Sequence, residues 1–283
     1  MNIRVCEAKE TERQAVIMFY HAKNGNVRIG DTDMDYISFG NGNEILIMIP
    51  GLGDGLTTVK GMAFVFAMMY RVYAKKYTVY VFSRKNRIQE GYSTRDMARD
   101  QAEAMKALGI SNANVLGISQ GGMIAQWLVI DYPALVSKLV LAVTLSKQNE
   151  TVQQTVNKWI EFAKQGRYKE LMIDTAEKSY SEKYLKKYRL LYPFLGKGKQ
   201  KDFSRFIIQA NSCITHNSYT ELDKIMYPTL VIGGDNDRIV GTSAAHELAE
   251  KINNSELFIY QGLGHAAYEE AKDFHKRVIC FLS

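Results

Sequence analysis

Short apolar runs alternate with stretches of helical spacing through the first half of the chain. Glu44-Ile45-Leu46-Ile47-Met48-Ile49 is apolar after its first residue and is bounded by Gly42 and Pro50. Tyr77 to Phe82, Ala113 to Leu116 and Val136 to Val143 have the same character. Runs of this length without alternation suit strands buried on both faces of a largely parallel sheet. Asn26 to Ile29 and Met34 to Phe39 are further strand candidates, joined through Gly30 and Asp31 as a hairpin. Between the runs, Thr94 to Leu108 places Met97, Ala102, Met105 and Leu108 at helical spacing, and Gly122 to Ile130 is a second helical stretch, closed off by Pro133. Alternating strands and helices predict an α/β fold with helices on both faces of the sheet.

The alternation stops near Leu145. From there to Met226 the chain holds no convincing strand and is rich in Lys, Tyr and helix-forming residues. Strand character returns at Thr229 to Gly233 and again at Glu256 to Tyr260, with a terminal helix expected over Glu269 to Leu282. The expected organisation is one α/β domain made of residues 1–144 and 227–283, interrupted by a helical insertion over 145–226. Residues 1–24 stay unassigned, because Ala15 to Tyr20 fits an extra strand as well as one helical turn.

The composition is that of a globular chain, 46% hydrophobic and 23% charged over 283 residues. No apolar run approaches the roughly 18 residues of a membrane span, so no stable membrane insertion is expected. The opening residues lack the basic-then-apolar layout of a secretory signal. Cys6, Cys213 and Cys280 are odd in number and widely spaced, which suits a reduced, cytoplasmic protein without structural zinc. Residues 145–226 carry 15 Lys and Arg against 9 Asp and Glu, which accounts for the whole formal charge of +6. No nucleic-acid-binding motif accompanies that charge, so solvated helix faces are expected, not a nucleic-acid partner.

The chemistry begins at Gly117-Ile118-Ser119-Gln120-Gly121, a G-x-S-x-G pattern set between the Ala113–Leu116 run and the following helix. At such a junction the chain must turn sharply, and the serine hydroxyl projects beside a helix N-terminus. A serine hydroxyl needs a base within hydrogen-bond reach, itself oriented by an acid. Candidates follow the two late strands. Thr229 to Gly234 leads into Asp235-Asn236-Asp237-Arg238-Ile239-Val240, and Leu257 to Tyr260 leads into Gln261-Gly262-Leu263-Gly264-His265. The residue pattern alone leaves Asp235 and Asp237 nearly equal as the acid, since an Asx-type turn explains either. His21, His216, His246 and His275 lack the same strand-end context.

Together these motifs resemble the α/β-hydrolase family, in the branch with a helical lid between strands six and seven. Pro50-Gly51-Leu52-Gly53-Asp54 is similar to the glycine-rich oxyanion loop, Gly117 to Gly122 to the nucleophile elbow, Gly234 to Val240 to the acid turn, and Gly264-His265 to the base loop. The resemblance runs from about Asn24 to the C-terminus. It implies a mostly parallel central sheet, Ser119 as nucleophile, His265 as general base then acid, and Asp237 as the orienting carboxylate. It further implies backbone N–H donors at Leu52 and Gln120 for the oxyanion. Pro50 replaces the histidine of many relatives, and Phe82-Ser83-Arg84-Lys85-Asn86 replaces the common aspartate-x-arginine-glycine turn. Asp54, between two glycines, is expected to form a turn. Trp159, Phe162, Tyr184, Tyr188, Phe203 and Phe206 could line an acyl pocket, but their helical spacing fits the insertion's own core better, and no role is assigned to them.

A serine hydrolase acting on a carboxylic ester, thioester, lactone or amide is therefore the expected function, with a small-molecule acyl substrate and no metal or organic cofactor. Acyl transfer, C–C bond hydrolysis or perhydrolysis on the same residues is the first alternative. A receptor-like hydrolase fold with little turnover is the second.

Overall fold

The computed structural model describes residues 20–195 and 202–283. Ala15 to Phe19, Cys6 and the lysines at 197, 199 and 201 lie outside the described residues. Eight strands form one sheet: β1 (Lys23–Ile29), β2 (Thr32–Phe39), β3 (Glu44–Ile49), β4 (Tyr77–Lys85), β5 (Ala113–Ile118), β6 (Val136–Ala142), β7 (Thr229–Gly234) and β8 (Ser255–Tyr260). Their spatial order is β1-β2-β4-β3-β5-β6-β7-β8. β1 and β2 form the expected hairpin, closed at Ile29 opposite Thr32, and β2 is also antiparallel to β4. All other pairs are parallel.

Helices α1 (Ala63–Met69), α2 (Thr94–Ala107) and α3 (Gln120–Asp131) follow β3, β4 and β5. A capping box starts α2: the Ser93 hydroxyl accepts from the Asp96 N–H, and the Asp96 carboxylate accepts from the Ser93 N–H. Between β6 and β7 lie α4 (Glu150–Lys164), α5 (Tyr168–Ser179), α6 (Glu182–Tyr188) and α7 (Ser204–Thr215). The C-terminal part adds α8 (Ala244–Lys251), α9 (Ala267–Glu270) and α10 (Phe274–Leu282). The single terminal helix expected from the sequence is thus two. The chain leaves helical geometry at Ala271 (φ −77°, ψ 114°), and this redirection buries Phe274 in the core.

The strands are apolar on both sides because each side has its own core. Ile47, Ile49, Val115, Leu139 and Val231 pack with Met97 and Met105 of α2, Ile124 and Leu128 of α3, and Leu248 of α8. Leu46, Met48, Val79, Val140 and Ile232 point the other way, onto Ala63 and Ala67 of α1 and Phe274 and Val278 of α10. A third cluster joins α4 to α7 through Val156, Trp159, Ile160, Phe203, Phe206 and Ala210. Tyr184, expected among such core residues, is 41% exposed.

β4 lies on one side of β3 and β5 on the other, so the connections reverse direction between β3 and β5. Open α/β sheets leave a crevice above the carboxyl ends of the strands at such a point. Pro50 follows β3 there and Ser119 follows β5.

Candidate active site

Ser119 sits between β5 and α3 with φ 54° and ψ −121°, a left-handed conformation that non-glycine residues rarely take. The turn is held from several sides. The Ser119 N–H donates to the Ala142 carbonyl (2.9 Å), while its own carbonyl accepts from the Thr144 hydroxyl (2.7 Å) and the Gly122 N–H (2.8 Å). Glycine at 121 is a steric requirement, since an added Cβ would come within 1.9 Å of the Ile49 carbonyl oxygen.

His265 follows β8 through the loop at 261–264, and Asp237 follows β7. The Ser119 Oγ lies 2.9 Å from His265 Nε2, and His265 Nδ1 lies 2.8 Å from Asp237 Oδ2. A carboxylate can only accept, so Nδ1 carries the ring proton and Nε2 is the acceptor facing the hydroxyl. The remaining Asp237 oxygen, Oδ1, accepts from the N–H groups of Ile239 (2.8 Å) and Val240 (3.0 Å). Both Asp237 and His265 are buried. Three side chains far apart in sequence therefore form one continuous hydrogen-bonded series.

Asp235 is engaged elsewhere: its Oδ1 accepts from the Gly262 N–H at 2.7 Å, bracing the loop that delivers His265. Leu52 opens a short 3-10 turn (Leu52–Gly55), and Gln120 is the first residue of α3. Neither backbone N–H donates to an acceptor among the described residues. Gly51 brings the first of these turns close to the serine, because a Cβ there would lie 3.3 Å from the Ser119 Cβ. The other histidines stay outside this series. His216 is buried between the Thr94 and Ser218 hydroxyls, and burial pushes its pKa down to about 3. His275 Nδ1 bonds the Tyr73 hydroxyl. A cavity of about 470 Å³ lined by Lys138, Pro228, Leu230, Glu256 and Arg277 opens at the amino ends of β6–β8, the opposite rim of the sheet.

A family model described as the alpha/beta hydrolase fold matches residues 45–272. The chain belongs to the alpha/beta-hydrolase family. Among curated relatives, a 2-hydroxy-6-oxononadienedioate/2-hydroxy-6-oxononatrienedioate hydrolase from a Pseudomonas species is 26% identical over 282 residues, covering 92% of this chain and 93% of that protein. Among solved structures, the alpha/beta hydrolase MGS-M2 from a Medee basin deep-sea metagenome library has a TM-score of 0.79 at 23% identity, covering 91% of this chain and 97% of its own. The enol-lactonase from Burkholderia xenovorans LB400 has a TM-score of 0.78 at 18% identity, covering 91% and 99%. At these identities the two structures speak to the fold alone.

The sequence pattern did not reveal a buried polar network beside this hydrolase-fold crevice. Asp54, expected as a turn former, is buried, and its Oδ2 accepts from Arg205 Nη2 (2.7 Å) and from the Arg84 N–H (3.1 Å). The only sequence signal was Arg84 itself, a charged residue closing an apolar strand where the family usually has another turn.

Proposed function

We propose that this chain is a serine hydrolase that cleaves a carboxylic ester or a related acyl bond (thioester, lactone, amide) through an acyl-enzyme on Ser119. The observation that carries this reading is the unbroken series from the Ser119 hydroxyl through the His265 ring to the Asp237 carboxylate, with contacts of 2.9 and 2.8 Å. The strained, partly exposed serine supports it, since backbone strain of this kind at a non-glycine residue clusters at functional sites.

In this reading Nε2 of His265 takes the Ser119 proton as Oγ attacks the acyl carbon. The charge that develops on the acyl oxygen is held by the N–H groups of Leu52 and Gln120. The imidazolium, oriented by Asp237, then protonates the leaving group. A water molecule attacks the acyl-enzyme by the same route in reverse, and the acid departs. The helices of residues 145–226 act as a lid over the crevice and shape the acyl pocket.

C–C bond hydrolysis is the second reading, favoured by the near full-length relatives named for dienedioate hydrolysis. There the leaving group is a carbon, and His265 supplies its proton. The two separate by substrate. A fluorophosphonate probe should add its mass to the wild-type protein and not to Ser119→Ala. p-Nitrophenyl esters of graded chain length, set beside a 2-hydroxy-6-oxo dienoate followed by the loss of its visible absorbance, then show which bond is cleaved. An unlabelled wild type sinks both readings and leaves a receptor-like fold.

A further inference from the structure

The crevice is bordered by a group of charges that stability alone does not call for. Arg84, Asp54, Gln120 and Gln209 are all buried, and Arg205 reaches in from α7. Asp54 Oδ1, Arg84 Nε and Nη1, Arg205 Nε and Gln209 Oε1 have no hydrogen-bond partner among the described residues. A largely buried Arg205–Asp54 ion pair beside a second buried guanidinium, that of Arg84, carries a desolvation cost that well-packed apolar residues would not. Such an arrangement calls for a role beyond holding the fold.

Its position suggests that role. The parallel ladder between β3 and β5 ends where Ile49 pairs with Gly117. The two proposed oxyanion donors, Leu52 and Gln120, each lie three residues past that last rung. The close approach of Gly121 to the Ile49 carbonyl limits how near the two segments can come. It does not limit how far apart they can drift. Arg84 does: its Nη2 donates both to the Pro50 carbonyl (2.6 Å) and to the Gln120 side-chain Oε1 (2.8 Å). The Gln120 amide is itself oriented, because its Nε2 donates to the Gln209 carbonyl (2.7 Å).

We infer that Arg84 is a positioning residue that fixes the spacing of the two oxyanion donors by tying the segment before Leu52 to the side chain of Gln120. The inference rests on the serine-hydrolase reading and adds a further residue to it. Arg84 is held rigidly for this task. Its N–H donates to Asp54 Oδ2, and its carbonyl accepts from Arg205 Nη2 at 2.9 Å. Arg205 also donates to the Asp54 main-chain carbonyl. Burial pushes the Arg84 pKa down to about 10 against the pull of Asp54, so the group stays cationic at neutral pH.

The test compares Arg84→Met, Arg84→Lys and Gln120→Leu with wild type. It measures kcat and KM on a p-nitrophenyl ester, the inhibition constant of an alkyl trifluoromethyl ketone, the pH profile and the thermal midpoint. A misplaced donor pair costs on the order of 10²-fold in kcat. Arg84→Met should therefore lose about that factor in kcat and in ketone affinity, with KM within about threefold and the acid limb of the pH profile in place. Arg84→Lys should recover at least about tenfold, because one ammonium can donate to both oxygens. Gln120→Leu removes the second attachment point while leaving Arg84 and every main-chain donor, so it should show the same signature even where Arg84→Met fails to fold. The inference is overturned by a folded Arg84→Met with near wild-type kcat, by lost kcat with unchanged ketone affinity, or by Arg84→Lys no better than Met. Fluorophosphonate labelling of wild type separates the two failures. Labelled wild type with any of those results overturns the positioning role alone, and unlabelled wild type overturns the hydrolase reading with it.

Discussion

Asp237→Asn is a nearly isosteric change whose consequence follows from which atoms surround the carboxylate. Oδ1 accepts from two main-chain N–H groups, of Ile239 and Val240, and Oδ2 faces His265 Nδ1. An asparagine has one acceptor end. If its oxygen stays with the two N–H groups, its NH₂ points at Nδ1, which must then become an acceptor. The ring proton moves to Nε2, and Nε2 can no longer take the Ser119 proton. If the amide flips, the ring keeps the working tautomer but two buried N–H groups lose their acceptor, at about 1–3 kcal/mol each. The working orientation is thus disfavoured by roughly 2–6 kcal/mol, which at 1.36 kcal/mol per tenfold corresponds to a loss of about 30-fold to about 3 × 10⁴-fold in kcat/KM. The resting orientation keeps all the main-chain bonds, so the thermal midpoint should move by only a few degrees. Ester kinetics, thermal melts and the ¹⁵N shifts of the His265 ring read the three quantities. Activity within tenfold of wild type, or a ring still protonated on Nδ1 in an inactive variant, would refute the tautomer reasoning.

Ser119→Ala should lose fluorophosphonate labelling and about 10⁴- to 10⁶-fold in kcat while still binding substrate, as active-site titration by calorimetry would show. Gly121→Ala places a methyl against the Ile49 carbonyl oxygen, at 1.9 Å before relaxation, and should cost about 3–5 kcal/mol in urea unfolding. A midpoint unchanged by that substitution would mean the elbow is looser than its geometry. His216 governs a pH dependence. Burial drops its folded pKa to about 3, below the ordinary value of 6.5, so the unfolded chain binds the proton first. Its contribution is complete above the unfolded value and is lost as pH falls from about 6.5 toward 3, at up to about 1.4 kcal/mol per pH unit. His216→Gln should flatten the fall in thermal midpoint between pH 6 and pH 4 relative to wild type, and a parallel curve would count against it.

Local pattern carried most of the sheet. Glu44 to Ile49 begins and ends where the run predicts, because a strand covered on both faces has no polar side to blur its ends. Met97 and Met105 likewise mark the buried face of α2 through their spacing. The terminal helix was misread as one because nothing in Ala271-Lys272-Asp273 breaks a helix by propensity; the demand to bury Phe274 does so instead. At the crevice, Ser119, Asp237 and His265 were legible as strand-end residues, but their contact depends on the order in which the strands pair. Asp235 and Asp237 differ by what surrounds them and not by local pattern. Arg84 was the least legible, since arginine is ordinarily a surface residue and its partners Pro50, Gln120 and Arg205 lie in three separate parts of the chain.

The helices between β6 and β7 are moored on both sides of the crevice, with α4 also tied to the turn after β7 through Asn149 and Thr155. Arg205 of α7 grips Asp54 in the turn after β3, while the α5–α6 junction is pinned behind the imidazole. There the Ala266 N–H donates to the Ser179 carbonyl, and the Ser181 N–H donates to Glu270. A segment fastened on both sides cannot swing like a door on one hinge. Under the proposed reading, a displacement large enough to admit a bulky substrate would have to slacken some of these contacts, and the loop they hold would move with them. Under the proposed hydrolase reading, entry of substrate and the geometry of the reacting groups would be mechanically joined.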